Sequence, residues 1–208
     1  MSSFAVLLGG DVTPTPRLKA QLAGLRVIAA DSGMAHAAVL GLTPELWVGD
    51  FDSAGTALEQ AYAHVPRLVF PAAKDATDGE IAIDEALARG ATSLLLVGGF
   101  GGQFDHAMAH AMQIVSLHNK GIDAVLSSGH EEARVLRHGL TLTGLAKGTR
   151  LSVVPLLPLT GLTLRHVRWP LTERDVALGS TLTLSNETDG EPQLSLREGL
   201  ALVVVYPK

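Results

Sequence analysis

The sequence predicts a mainly parallel α/β unit, Rossmann-like, followed by a smaller antiparallel β-sandwich. Three observations predict it. Over residues 1–130, short runs that are apolar throughout alternate with Ala-rich helical stretches, as strands buried on both faces between crossover helices do. Glycines follow the helical stretches at Gly24, Gly41, Gly90 and Gly121, where a left-handed C-cap is wanted. From Ala133 onward helical periodicity vanishes, and brief β-rich runs recur between Gly and Pro residues, the texture of an all-β unit.

In order along the chain, Phe4–Leu8, Val27–Ala30, Leu46–Val48, Leu68–Phe70, Ser93–Val97 and Ala124–Leu126 read as buried strands. Between them, Arg17–Gly24, Gly33–Leu40, Gly55–Tyr62, Asp78–Arg89 and Asp105–Lys120 read as helices. The texture changes near Gly129–Glu132, so the units are expected at 1–130 and 131–208. The second should hold strands at Arg134–Arg137, Leu140–Thr143, Arg150–Pro155, Leu162–Arg165, Ser180–Ser185, Gln193–Leu196 and Leu200–Tyr206. Within them Thr181-Leu182-Thr183-Leu184 alternates as a half-buried strand does.

Composition narrows the function. The chain has 208 residues, 47% hydrophobic and 18% charged, enough apolar material for a sizeable core. Its net charge of −5 is the wrong sign for nonspecific nucleic-acid binding. The lack of cysteine excludes a disulfide framework, a thiolate zinc site and a cysteine nucleophile. Met1–Gly10 lacks the basic region and cleavage pattern of a signal peptide. The longest apolar runs fall far short of the roughly 20 residues that span a bilayer. The expectation is a soluble cytoplasmic protein with no membrane partner.

The aspartates carry the chemistry. Asp11, Asp31, Asp50 with Asp52, Asp75 with Asp78, and Asp105 each follow a predicted strand. In an open parallel sheet, residues beyond the carboxyl ends of successive strands converge on one crevice. Turn and N-cap preferences explain any single aspartate. They explain less well the D-x-D pair in Gly49-Asp50-Phe51-Asp52-Ser53, whose carboxylates repel unless a cation or proton lies between them. An all-oxygen set suits a hard cation, and Mg²⁺ enters through one or two carboxylates plus substrate phosphates. In Lys74-Asp75-Ala76-Thr77-Asp78-Gly79-Glu80, Thr77 and Glu80 form a capping box. There Lys74 offers a point charge for a phosphate, and Asp78 a further metal ligand. The turn Gly98–His106, with Gly101, Gly102 and Gln103 before a helix, presents backbone N–H groups to an anion, although it is neither a Walker loop nor a dinucleotide fingerprint. His106 and His110 have zinc-pair spacing but no third ligand; His106 reads as a helix-start histidine that orients a neighbour or touches a phosphate, and His110 as an ordinary core or surface residue. Trp47, just before the Gly49–Ser53 turn, reads as core.

Taken in order, these motifs resemble the thiamine pyrophosphokinase family. The matching stretches are Ala30-Asp31-Ser32-Gly33, Gly49–Ser53, Lys74–Glu80 and Gly98–His106, then Val167-Arg168-Trp169-Pro170-Leu171 and Ser185-Asn186-Glu187. The resemblance implies a homodimer in which the α/β unit binds ATP and Mg²⁺ and the β-sandwich helps enclose thiamine across the subunit interface. It implies transfer of the terminal pyrophosphoryl group of ATP to the thiamine hydroxyl, with release of AMP. By position, Asp50, Asp52 and Asp78 look like the metal and catalytic carboxylates, with Asp31 beside them. Lys74, Thr77, Gly101, Gly102, Gln103, Asp105 and His106 look like nucleotide neighbours, and Trp169, Ser185 and Asn186 like thiamine contacts from the partner subunit. Gln103 departs from the family's usual Arg; an amide donates a hydrogen bond but does not neutralise phosphate. Two alternatives stand beside this reading: the same machinery with another hydroxymethyl acceptor such as a pterin, and a non-catalytic thiamine or nucleotide sensor.

Overall fold

The computed structural model describes residues 2–51, 55–71 and 75–208. The predicted residues Asp52 and Lys74 lie outside these. Two compact units result, Met1–Gly129 and His130–Lys208.

The first unit is a parallel sheet flanked by helices. Its strands are β1 (Ser2–Leu7), β2 (Arg26–Ala30), β3 (Leu46–Gly49), β4 (Arg67–Val69), β5 (Ala91–Val97) and β6 (Asp123–Ser127). The order across the sheet is β6-β5-β1-β2-β3-β4. Each neighbouring pair is parallel. The chain therefore runs outward from β1 through β4, then crosses back to place β5 on the other side of β1. That reversal is a topological switch point, where the loops beyond the strands part and leave a crevice. The helices are α1 (Pro16–Leu22), α2 (Ala35–Leu40), α3 (Thr56–Ala61), α4 (Asp78–Ala88) and α5 (Phe104–Asn119). Asp31–Met34 forms a 3₁₀ turn ahead of α2. Four of the predicted cap glycines adopt the left-handed conformation, with φ between 69° and 84°, which avoids the Cβ clash other residues meet there. Trp47, Leu7, Leu18, Ala29 and Met34 lie in one buried cluster.

The second unit is antiparallel. Its strands are β7 (Glu132–Leu136), β8 (Gly139–Thr141), β9 (Arg150–Pro155), β10 (Leu159–Val167), β11 (Leu171–Val176), β12 (Asn186–Ser195) and β13 (Ala201–Tyr206). Strand β13 pairs with β7 and β9, and β10 with β11 and β12. The long β12 joins both sheets: Asn186 and Glu187 pair with β9, while Gln193–Ser195 pair with β8 and β10. Leucines and valines of both sheets form one core that includes Leu136, Val153, Leu164, Leu194 and Val203.

The structure corrects the sequence reading in two places. Ser180–Ser185 is turn rather than strand. Its leucines face outward, Leu182 54% and Leu184 42% exposed, while Thr183 is buried. The hydroxyl of Thr183 donates to the Val153 carbonyl at 2.6 Å, and the Val153 N–H donates to the Thr183 carbonyl at 2.9 Å. Those bonds hold the segment by its polar side. Conversely, β11 was missed because four of its six residues, Thr172–Asp175, are exposed and three of those are charged, which leaves little apolar alternation to read. Thr183→Val should therefore lower unfolding stability by about 1–3 kcal/mol through loss of a buried bond, whereas Leu182→Ser should change it by no more than about 0.5 kcal/mol. Denaturant melts of the two variants check this; the reverse ranking would restore the inward-facing strand.

Candidate active site

The crevice of the first unit is built from the ends of its strands. A cavity of about 340 Å³ is lined by Leu8 and Gly9 after β1, Asp31 and Ser32 after β2, Asp50 after β3, Thr77 and Asp78 at the start of α4, and His106 and His110 of α5. A cavity of about 330 Å³ shares Gly9, Ser32, His106 and His110 with it and continues along Gly98, Gly99, Gly101, Gly102 and Gln103. Carboxylates thus line one stretch of the crevice and a glycine turn the next, and both lie beyond the carboxyl ends of the sheet.

Each part has a local cause. Asp31 follows β2 at φ +42° and Phe51 follows Asp50 at φ +63°, a region that L-residues adopt rarely. The two turns touch: a Cβ on Gly49 would lie 3.4 Å from the Asp31 Cα. Thr77 caps α4, its hydroxyl accepting from the Glu80 N–H at 3.2 Å. This fixes the helix start and with it Asp78, whose negative charge suits that end of the helix dipole. In the glycine turn, the Asp11 N–H donates to the Phe100 carbonyl and the Gly10 N–H to the Gly98 carbonyl, both at 2.8 Å. Gly101 sits at φ +73°, and a side chain there would enter the Asp11 carboxylate. Loops after β1 and β5 are in this way stitched side by side.

Of the predicted residues, the structure gathers Asp31, Asp50, Thr77, Asp78 and His106 around one cavity, and Gly101, Gly102 and Gln103 around the adjoining one. Asp105 stands apart: it is exposed in the first turn of α5, and its carboxylate accepts from the His106 N–H at 2.9 Å. The sequence reading missed His110, which lines both cavities while its Nδ1 is bonded to Gln113 Oε1 at 2.9 Å. Its one available signal was its position one helical turn after His106.

In the second unit, Trp169 is 52% exposed. The buried Asn186 holds its backbone from both sides: the Trp169 N–H donates to Oδ1 at 3.1 Å, and Nδ2 donates to the Trp169 carbonyl at 2.8 Å. Ser185, at φ +59°, donates its N–H to the Ser152 hydroxyl at 2.9 Å. The Arg168 guanidinium lies 4.7 Å from the Trp169 ring centre and pairs with Glu187 at 3.0 Å. Asn186 thus fixes an aromatic plate that faces solvent.

The oxygen donors fit a hard cation. Among the described residues no three His, Asp or Glu side chains make a metal cage by themselves, but Mg²⁺ usually takes one or two carboxylates and completes its shell with phosphate oxygens and water.

A parallel sheet with carboxylates and a glycine cradle at its switch point, joined in one chain to an antiparallel β unit, is the arrangement of a nucleotide-dependent transferase. The thiamin pyrophosphokinase catalytic domain matches residues 22–126, and the thiamin pyrophosphokinase vitamin B1 binding domain matches residues 137–201. The chain belongs to the thiamin pyrophosphokinase family, and its reaction is ATP-dependent pyrophosphorylation of thiamine. Its structure is similar to that of thiamine pyrophosphokinase from Bacillus subtilis, with a TM-score of 0.87 and 22% identity over all of both chains. The enzyme from Geobacillus thermodenitrificans gives 0.82 and 26%, covering 100% of this chain and 98% of that one. The enzyme from Candida albicans gives 0.81 and 12%, covering 100% and 89%. No curated protein matches the chain by sequence. Among the described residues, no helix is long and apolar enough to cross a membrane.

The glycine cradle gives a test. Gly101→Ala should raise the KM for ATP about tenfold, since a left-handed residue with a Cβ costs about 1–2 kcal/mol and its methyl group would displace Asp11. Steady-state kinetics with varied ATP measure it, and an unchanged KM would remove the turn from the nucleotide site.

Proposed function

We propose that Asp50, Asp52 and Asp78, with Asp31 beside them, hold Mg²⁺ for ATP in the crevice of the α/β unit, and that the thiamine site is completed by Trp169 of a second subunit. The observation that carries this is the convergence of Asp31, Asp50 and Asp78 from successive strand ends on one cavity beside a glycine turn. The ion supplies charge neutralisation on the phosphate oxygens. The chain's own groups position and accept: backbone N–H groups of Gly99–Gly102 cradle phosphate, and Lys74 adds a point charge. Gln103 donates a hydrogen bond there. The thiamine hydroxyl oxygen bonds to the β-phosphorus as the bond from that phosphorus to the α,β-bridging oxygen breaks. AMP leaves with that electron pair, and an aspartate takes the hydroxyl proton.

Thiamine is a cation with two aromatic rings, so it needs a flat wall and nearby negative charge. Trp169 offers the wall, held by Asn186, while the carboxylates belong to the other unit. In this reading the chain works as a homodimer, each plate serving the carboxylates of the other subunit. A cytoplasmic setting goes with ATP as co-substrate.

The product settles the reaction type: with Mg²⁺, ATP and thiamine, chromatography should find AMP, and ADP would mean ordinary phosphoryl transfer. Pterin alcohols should give no AMP, and binding without turnover would leave a sensor. Asp50→Asn and Asp78→Asn should each lower kcat by roughly 100-fold or more, because an amide leaves the cation's charge uncompensated. The melting temperature of Asp50→Asn should hold or rise, since mutual repulsion is relieved, whereas Asp78→Asn also gives up its favourable charge at the start of α4. Asp50→Asn and Trp169→Ala proteins, unfolded together and refolded, should regain activity in heterodimers carrying one intact site. Heterodimers as inactive as the parents would refute sharing.

A further inference from the structure

We propose that Trp47 is a positioning residue that sets both carboxylate turns of the crevice through one buried side chain. The inference rests on the reading of Asp31 and Asp50 as groups that serve the metal–nucleotide complex. The indole is fully buried, and a buried N–H must find an acceptor. Its Nε1–H donates to the backbone carbonyl of Asp31 at 2.9 Å. Its ring meets Phe51 edge-on, with centres 4.9 Å apart and planes at 74°. Both of these contacts fall on left-handed residues beside the crevice, Asp31 at φ +42° and Phe51 at φ +63°.

Those conformations persist only where neighbours impose them. Strand pairing brings Trp47 opposite Ala29, two residues before Asp31. The indole spans from that position to the turn on its own strand. Arg67 closes the assembly from outside: its guanidinium lies 5.0 Å from both the Trp47 and the Phe51 ring centres. It is itself held by Glu59, to Oε2 at 2.8 Å and to the backbone carbonyl at 3.1 Å. Any buried indole needs an acceptor; here the acceptor is the peptide of the crevice residue Asp31. Here one ring fixes the peptide of Asp31 and the residue after Asp50, so the distance between the two carboxylates is set from beneath the crevice.

Trp47→Phe keeps a ring and removes the donor. Mn²⁺ is the probe, titrated by electron paramagnetic resonance with a nonreactive ATP analogue, alongside kinetics and circular dichroism. The expected result is Mn²⁺ affinity weaker by roughly fivefold to tenfold, the loss of one buried hydrogen bond. The Mg²⁺ concentration for half-maximal rate should rise in step, with the far-ultraviolet spectrum and the KM for thiamine unchanged. Phe51→Leu, which leaves the indole in place and removes its neighbour, should weaken Mn²⁺ in the same direction and decides the matter if Trp47→Phe fails to fold. Lower melting temperatures with unaltered Mn²⁺ affinity in the variants would overturn the proposal and leave Trp47 a packing residue. Asp50→Asn is run beside them: if it does not weaken Mn²⁺, the metal reading of the crevice fails, whereas if it does and the other two do not, only the positioning role fails.

Discussion

In a parallel sheet every strand ends on the same side, and the chain must return across a face before starting the next. When such a chain reverses its direction of travel about a central strand, the returns on either side run over opposite faces, and the loops at that point cannot pack on each other. Strand β1 is that central strand, with β2 beside it on one flank and β5 on the other. The rest of the catalytic unit depends on this gap. The glycine turn after β5 and the Gly9-Gly10 turn after β1 border it. The carboxylates come from strands laid down in succession on the β2 side. Polar groups that would be costly inside the sheet are tolerated here because the gap is open to water and ligand.

The gap alone does not aim side chains. Aim comes from short-range devices in which the backbone is forced into a rarely used shape and then fastened. Among the described residues, five that are not glycine have positive φ, and three of them are Asp31, Phe51 and Ser185, all within the motifs singled out in the sequence. Each is fastened by something nearby: the indole of Trp47 for Asp31 and Phe51, the Ser152 hydroxyl for Ser185. Thr77 does the same work at α4 with ordinary geometry, since a capped helix start fixes the following residue without strain.

Much of this was legible in the residues. Wholly apolar runs such as Val27–Ala30 and Leu94–Val97 are stable when covered on both faces, so the parallel sheet announced itself, and the cap glycines marked where helices stop. The strand-end aspartates could be placed in one crevice because topology fixes which end of a strand bears ligands. Phase was harder. Thr181–Leu184 alternates, but period 2 alone does not say which set points inward, and two hydrogen bonds of Thr183 outweighed the burial of two leucines. Strand β11 carries Glu173, Arg174 and Asp175 where a core strand would carry leucine, so pairing with β10 defines it rather than composition. The role of Asn186 depends on a partner 17 residues away, a relation no local pattern encodes.

The strained positions also bear on how this protein can change over time. Glycine at position 31, 51 or 185 would relieve the strain of the positive φ, at the cost of its own greater chain entropy. At position 31 that exchange would delete a carboxylate from the crevice, at 51 it would release the neighbour of Trp47, and at 185 it would free the residue before Asn186. Relief of that strain therefore comes only with a change in the crevice or in what fastens it. Gains in thermal tolerance are pushed toward the periphery, to exposed leucines such as Leu178 and Leu182 and to the helix ends far from the crevice. A comparison of heat-adapted and ordinary members should find the left-handed residues held fixed while the outer surface drifts.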